Sequence, residues 1–551
     1  MGHHTWMRSQ EHKSIEEFLE ASSGVPVAEL LDPPATPPAA IQNMTEAAQV
    51  ICAAVAAGRP VVVVGDYDAD GITGTAILAL LLWYLRVAKP RLVIPRRFTE
   101  GYGLPMKVAN ETRNSLVITV DNGIAAIDAV KELHAAEKNN IVVVLDHHLP
   151  GDSLPNADVI VDPHVQPEEN GFCWYCGAGL AYKLAELILR KDNSSKALSL
   201  MKTLKVLACI GTIADVMPLI GDNRRIVKEG LAILDSDDRY RLPAGIRAIL
   251  DLAGERIDED TIAYQLAPLI NAPGRMYDSG SRSTLKAILC TDMDTAYQYS
   301  GELKKINEER KAAVDQWYGA VYAKALKQQG KCPIVVFQRG IPEGIIGILA
   351  GKVAEALNTP SFVFSQGEDG SLVKGSGRSY GEFDLIRVLG PIRSLVEAAG
   401  GHRGAAGVTV KAKNYAQMRE LMWACPECQE YEVDSSLKYD LEAYPEEIPE
   451  ILEKMKPFVP FGEGVPRPVV RVRNASLYSE KGKGFMYMGQ DQKHLKLFFK
   501  DFSAVGFGMG RAYQDAETPT RLELLGTVSE NFFNGKVSVQ MQLQDFVVAG
   551  D

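Results

Sequence analysis

Short apolar runs rich in β-branched residues alternate with helix-length stretches through the first part of the chain. Val61–Gly65, Leu92–Pro95, Leu116–Val120, Ile141–Leu145 and Val159–Val161 read as strands. Helical patterns cover Asn43–Ala57, a stretch from about Ile72, Ala125–Glu137, Gly177–Leu189 and Leu198–Leu207. Apolar runs buried on both faces and separated by helices predict a parallel sheet of the α/β class. From Glu302 to Gln329 a long polar helix pattern suits a connector between domains. A second α/β pattern follows: strand Ile334–Phe337, helix Gly347–Leu357, strands Ser361–Phe364 and Val373–Ser376, and a Gly-rich end at Gly400–Gly407. After Pro457 the period changes to short alternating strands, with Asn534-Gly535 as a hairpin signal, which suggests a small β-barrel. The expected division is an N-terminal arm (1–47), a parallel-sheet α/β domain (48–303), a connecting helix (304–331), a smaller α/β domain (332–415), an acidic linker (416–456) and a C-terminal barrel (457–551).

Composition narrows this picture without changing it. A chain of 551 residues, 46% hydrophobic and 23% charged, is ordinary globular material for three or four domains and is neither fibrous nor mainly disordered. The longest uncharged apolar stretch, Ile72 to Leu85, is too short for a membrane span and reads as a buried helix. No n-region followed by an apolar h-region is apparent. Eight cysteines do not make a disulfide framework, so a reducing cytoplasm is the expected compartment. The net charge of −11 argues weakly against a nucleic-acid partner, but its distribution is uneven. Residues 411–457 carry a net −5, whereas Glu463 to Arg511 carry a net +5. In that basic stretch Arg467, Arg471, Arg473, Lys481, Lys483, Lys493, Lys496, Lys500 and Arg511 are interleaved with Phe485, Tyr487, Phe498, Phe499, Phe502 and Phe507. Basic grooves with stacking aromatics are how OB-folds hold single strands.

The chemistry lies at the strand ends. The first strand runs into Asp66-Tyr-Asp68-Ala-Asp70-Gly71, the third into Asp121-Asn-Gly, and the fourth into Asp146-His147-His148. A further acid, Asp215, sits in the apolar segment Gly211-Thr-Ile-Ala-Asp-Val-Met-Pro218. Ligands of open α/β sheets bind beyond the carboxyl ends of the strands, so these groups converge on one edge. Unpaired anions cannot share one site without protons or cations. Carboxylates with imidazole suit Mn²⁺ or Mg²⁺, and two such ions clamp the oxygens of an in-line phosphoryl displacement. A lone Asp after a strand is usually a turn residue or helix cap, which is the reading for Asp162. That explanation does not extend to the whole set.

DYDADG, VDNG, DHH and GTIADVMPL, in this order, resemble the motifs of the DHH phosphoesterase superfamily. The spacing is similar to that of its RecJ branch, the single-strand-specific 5′→3′ DNA exonucleases. The likeness continues through Asn271-Ala-Pro-Gly-Arg275, Gly375-Ser-Gly-Arg-Ser379, Gly400-Gly-His-Arg-Gly-Ala-Ala-Gly407, Pro460-Phe-Gly-Glu-Gly464 and His494-Leu-Lys-Leu497, and covers about residues 45–546. It implies a DHH domain, a DHH-associated domain and an OB-fold. Asp68, Asp70, Asp121, His147 and Asp215 would ligate two Mn²⁺ or Mg²⁺ ions, Asp66 would be an additional ligand, and Asp146 would stand behind them. His148 would contact the scissile phosphate. The implied reaction is hydrolysis of single-stranded DNA from its 5′ end, in repair and recombination.

Arg275 lies among Asn, Pro and Gly, Arg378 lies between Ser376 and Ser379, and His402 follows two glycines. An Arg fork in a Gly/Ser-rich loop suits a pair of phosphate oxygens. By resemblance, Arg275, Ser376, Arg378 and His402 would hold the phosphates of the 5′-terminal nucleotide in a cleft between the two α/β domains. Besides single-stranded DNA, a single-strand-binding protein or a helicase is a candidate partner; a monomer without membrane contact is expected. Two CxxC pairs, Cys173–Cys176 and Cys425–Cys428, would form a Cys₄ zinc site only if they met, and free thiols are the simpler expectation. Two other functions compete: a phosphoesterase for small nucleotides or short oligonucleotides, which needs no strand channel, and a non-catalytic DNA-binding scaffold, which needs no intact acidic set.

Overall fold

A computed structural model describes residues 5–12, 14–367, 370–434, 436–478, 482–489, 491–533 and 535–549. Asn534 of the hairpin signal and Glu480 and Lys481 of the charge count lie outside the described residues.

The first domain is built as its apolar runs predict. Strands β1 (Val61–Val64), β2 (Arg91–Val93), β3 (Leu116–Val120), β4 (Ile141–Leu145) and β5 (Val159–Val161) form an all-parallel sheet in the order β2-β1-β3-β4-β5. The strand order reverses between β1 and β3, which is the topological switch point where such sheets place ligands. Both faces of the sheet are covered by helices, so β1 is buried at all four positions and β3 at all five. The helices that matter for the site are α1 (Ala69–Tyr84), α2 (Gly177–Leu189) and α3 (Ser195–Ala214), which pack on one another. α3 is long and apolar enough to cross a membrane by composition, but 61% of that stretch is buried inside this core.

Within 5–47, the described residues do not form an arm. Ile15–Ser23 and Val27–Leu31 are helices, and Ile15, Phe18, Leu19 and Leu30 join the main core. The fully buried Arg224 fixes this arrangement. Its guanidinium donates to the carbonyls of Leu30 (2.6 Å), Phe458 (2.7 Å) and Pro460 (2.8 Å), tying three distant segments together. The prolines of 33–38 obscured this, because they punctuate the pattern without removing its apolar face.

The connecting helix α4 (Met293–Leu326) is 34 residues, about 50 Å long at 1.5 Å per residue. It is shared by two cores: Leu303 packs in the first domain, and Val314, Val321 and Ala325 pack in the second. The second domain carries β6 (Ile334–Phe337), α5 (Ile346–Leu357), β7 (Ser361–Gln366), β8 (Leu372–Arg378), β9 (Val396–His402) and β10 (Ala405–Lys411), with sheet order β9-β10-β8-β7-β6. The Gly-rich end of this domain is an antiparallel hairpin, Gly400 facing Gly407.

The acidic segment is not a linker either. Met418, Met422, Cys425 and Cys428 complete the core of the second domain, whereas Ala443, Ile448 and Leu452 belong to the core of the third. The third domain has seven strands: β11 (Leu441–Ala443), β12 (Val469–Ser476), β13 (Phe485–Met488), β14 (His494–Phe498), β15 (Ser503–Gly506), β16 (Arg521–Phe533) and β17 (Lys536–Val548). Their order is β11-β12-β16-β17-β15-β14-β13, so the pairing leaves an open sheet rather than a closed ring among the described residues.

The two CxxC pairs lie in separate cores, Cys176 in the first and Cys425 and Cys428 with Cys332 in the second, so they do not form one Cys₄ site. All eight cysteines are free.

Candidate active site

Four strand or helix ends deliver the acidic set to one place. Asp68 is the N-cap of α1, its Oδ1 accepting the backbone N–H of Asp70 and Gly71 at 3.1 Å each. This capping leaves the second carboxylate oxygen of Asp68 outside the helix bonds. Asp70, in the first turn of α1, accepts from the N–H groups of Gly177 (2.6 Å) and Ala178 (2.8 Å) at the start of α2. Gly177 is required there: a Cβ would lie 2.5 Å from the Cβ of Asp121. Asp121 takes a left-handed backbone conformation, φ 60°, immediately after β3. Beside it Asn122 donates to the carbonyls of Val64 (3.1 Å) and Val120 (2.9 Å), stitching the ends of β1 and β3. Asp215 ends α3.

His147 stands at the centre. Its Nε2 is 3.0 Å from Asp121, 3.6 Å from Asp215 and 3.8 Å from Asp70. Ligand atoms of Asp66, Asp68 and Asp121 lie within 4.8 Å of one another, as do those of Asp70, His147 and Asp215, and those of Asp121, His147 and His148. The first two groups share no residue, so the pocket offers two separate ligand sets side by side. Asp146 stands behind them. Its carboxylate accepts from the N–H groups of Ile124 (2.8 Å) and His147 (2.8 Å) and from Nδ1 of His148 (2.8 Å).

The electrostatics follow from this crowding. Burial, then the neighbouring Asp68, holds the carboxyl of Asp66 well above its usual range. Burial, then Asp70 and Asp68, does the same for Asp121 and for Asp215. Asp70 is raised by burial, against the opposing pull of His147. Asp146 goes the other way. Burial pushes it up, but the bond and charge of His148 outweigh this and leave it low. His148 correspondingly rises to about 9, its bond to Asp146 overcoming burial, whereas burial lowers His147. Oδ1 of Asp66 and Oδ2 of Asp215 are buried without a hydrogen-bond partner. Crowded, desolvated carboxylates with orphaned oxygens and a neutral imidazole fit hard divalent cations.

Beside the carboxylates opens a cleft of about 510 Å³ between the first and second domains. Tyr67, from the acidic loop itself, lines it together with Arg97, Arg275, Lys374, Ser376 and Arg378. Two expectations about these residues change. Arg275 is in a helix, Ala267–Met276, with Pro273 inside it, and Arg378 ends strand β8; neither is in a loop. Arg378 donates to Oγ of Ser376 (3.0 Å), and the absence of a side chain at Gly347 makes room for it, since a Cβ there would lie 2.8 Å from Nη2. Burial, then the charges of Arg97, Arg378 and Arg310, lowers Arg275 to about 9. Burial and Arg97 lower Arg378 as well. His402 is exposed at the end of β9, outside the walls of this cavity. Partial desolvation of its ring, then the charges of Arg378 and His148, lowers it.

Arg97 and Tyr102 were not foreseen from the sequence. Both follow β2, so the strand-end rule that found the carboxylates applies to them too. Arg97 lies over the Tyr67 ring, 4.5 Å from its centroid. Tyr102 donates from its hydroxyl to the carbonyl of Asp121 at 3.1 Å.

Family models match three parts of the chain: "DHH family, N-terminal domain" at residues 60–212, "DHHA1 domain" at 330–426 and "RecJ OB domain" at 439–545. The single-stranded-DNA-specific exonuclease RecJ of Thermus thermophilus is 31% identical over 526 residues, covering 94% of this chain and 72% of that protein. The chain belongs to the RecJ family. The RecJ of Bacillus subtilis is 32% identical and covers 93% of this chain; the chain spans 64% of its length. Among solved structures, Thermus thermophilus RecJ in complex with Mn²⁺ superposes with a TM-score of 0.79 at 28% identity, covering 97% of this chain and 76% of that one. An exonuclease RecJ bound to manganese matches at 31% identity with a TM-score of 0.60, covering 72% and 96%. The RecJ match to the third domain agrees with its OB assignment, and the DHH match spans the strands that carry Asp66 to His148.

Proposed function

We propose that this chain is a metal-dependent exonuclease that hydrolyses phosphodiester bonds of single-stranded DNA from the 5′ end. One observation carries the reading: a pocket of desolvated, mutually repelling carboxylates adjoins a cleft of half-buried, mutually repelling arginines, with Tyr67 between them. A phosphodiester at that junction would meet cations on one side and guanidinium groups on the other.

Asp66, Asp68 and Asp121 would hold one Mn²⁺ or Mg²⁺ ion, and Asp70, His147 and Asp215 a second. Two such ions, when bound, supply Lewis-acid polarisation of the phosphoryl group and an activated water. Asp146 holds the His148 ring through Nδ1 and the His147 backbone through its N–H. His148, held cationic by Asp146, would donate a hydrogen bond to the scissile phosphate. Arg275 and Arg378, with Ser376, would grip the terminal phosphate, and His402, which feels the charges of Arg378 and His148, would add a contact from outside the cavity walls. The 5′ polarity comes from the RecJ relationship and not from these distances.

The small-nucleotide reading leaves the third domain without a task, and the scaffold reading leaves the acidic set without one. A 5′- or 3′-labelled single-stranded oligonucleotide, incubated with Mn²⁺ or Mg²⁺ beside a dinucleotide, tests all three. Stepwise release of the 5′ label from the oligonucleotide is expected. Release from the dinucleotide alone would support the small-substrate reading, and no metal-dependent release from either would overturn both enzymes.

A further inference from the structure

The segment between β2 and Leu104 is pinned rather than loose. The carboxylate of Asp278, just beyond the helix that carries Arg275, accepts from the N–H groups of Phe98 (2.8 Å) and Thr99 (3.1 Å) and from the Thr99 hydroxyl (2.7 Å). The turn closes on itself through Glu100, which accepts from the Arg96 N–H at 2.8 Å. This anchoring delivers the Tyr102 hydroxyl to a point between two site residues. It lies 3.1 Å from the Asp121 carbonyl and 3.0 Å from Nδ1 of His148. The two rings meet edge to face at 5.3 Å.

A phenol has one proton to give and an oxygen that accepts. The Asp121 carbonyl can only accept, so the Tyr102 proton goes there. Toward His148 the phenol oxygen is then an acceptor, which requires a proton on Nδ1. The same Nδ1 lies 2.8 Å from Asp146 Oδ1, an acceptor of that proton too. We infer that Tyr102 is a positioning residue. Its hydroxyl ties the left-handed turn at Asp121 to the His148 ring and, with Asp146, anchors the Nδ1 side of that ring so that Nε2 is the atom presented to the substrate phosphate. Tyr102 is 46% exposed, so packing alone does not account for its place.

This inference rests on the proposed hydrolysis, and its test separates the two. In the full-length chain, Tyr102→Phe keeps the ring and removes the hydroxyl, while Tyr102→Ala removes both. With a single-stranded oligonucleotide and Mn²⁺, Tyr102→Phe is expected to lower kcat about tenfold with KM within about twofold, the scale seen when a hydrogen bond that orients a site residue is removed. Tyr102→Ala should lower kcat at least as much. A Tyr102→Phe variant with wild-type kcat would overturn the role of the hydroxyl, even if Tyr102→Ala were impaired. A second readout needs no turnover. In the ¹⁵N-histidine-labelled protein, with the His148 signal assigned by its loss in His148→Gln, Tyr102→Phe should shift the Nδ1 resonance of that ring and leave the other histidines in place. An unmoved Nδ1 signal would overturn the inference. A wild-type protein that hydrolyses nothing would overturn the reaction instead, and the ring spectrum would still decide the tyrosine.

Discussion

The carboxylate pocket and the arginine cleft are built on the same plan with opposite sign. In the pocket, burial and like charges raise Asp66, Asp121 and Asp215. In the cleft, burial and like charges lower Arg275 and Arg378. Neither set is neutralised internally, although the two adjoin each other. The third domain shows the other use of the same residue type. Its Arg467 lies 2.6 Å from Glu259 and 2.9 Å from Asp260, and Arg471 and Arg473 pair with Glu523 and Glu442. Arginines that meet carboxylates hold the fold together, within the third domain or, for Arg467, between it and the first, whereas arginines that repel one another are free to take an external anion.

The largest effect should come from the pocket. Asp121 contacts His147 and belongs to two of the three ligand groups. Asp121→Ala should lower metal-dependent hydrolysis at least ~10³-fold, the scale of several kcal/mol of transition-state stabilisation. Circular dichroism should be unchanged. Residual activity within tenfold of wild type would dismiss Asp121 as a ligand and leave the pocket without its centre.

The cleft comes next. Arg378→Ala removes a charge-assisted grip worth about 1.5–3 kcal/mol, so kcat/KM for a 5′-phosphorylated oligonucleotide should fall roughly 10- to 100-fold. The loss should shrink on a substrate lacking the 5′ phosphate. An equal loss on both substrates would place Arg378 elsewhere than on the terminal phosphate.

Stability offers a third test, in which the sign matters. The folded-state pKa of Asp121 is raised, so its contribution is fully present below the ordinary carboxylate range near pH 4 and is lost as pH rises through the raised value. Asp66, Asp70 and Asp215 act in the same direction, and Asp146, whose value is lowered, acts against them. In EDTA at neutral pH, Asp121→Asn should therefore raise Tm by roughly 2–4 °C. With saturating Mn²⁺ the order should invert, because the wild type gains more from binding. A variant less stable than wild type under both conditions would mean that the carboxylate is not strained without metal.

These tests also mark how far the sequence could be read. The carboxylates were legible because each follows an apolar strand within a few positions, so local pattern and the switch-point rule place them together. Arg97 and Tyr102 obey the same rule, but the groups that hold them, the Asp278 carbonyl accepting the Arg97 N–H and the His148 ring beside Tyr102, are far away in the chain, and no local period reports such contacts. Arg275 was misplaced into a loop because Pro273 and Gly274 look like breakers, whereas here the helix runs through them. The acidic 416–456 segment was misread for a related reason. Its charged residues dominate the composition, but Ile448, Leu452 and Met455 recur at helical spacing and are buried.

The smallest effect concerns the third domain, where the sequence predicts a strand path from basic residues interleaved with aromatics. Four of those arginines are engaged: Arg467, Arg471 and Arg473 in the pairs above, and Arg511 with Asp515 at 3.9 Å. Lys483, Lys493 and Lys500 are exposed, and Phe507, 62% exposed, stands out among aromatics of which Phe499 and Phe502 are core. If strand contact runs through the lysines, Lys493→Gln should reduce the slope of log affinity against log salt by about 0.7, one phosphate's share for a single strand. Arg471→Gln should leave that slope unchanged and lower Tm instead, because it breaks a pair inside the sheet. A reduced salt slope in Arg471→Gln would show that the pair opens to take DNA. The contrast between arginines that wait for an anion and arginines that hold the fold would then fail in this domain.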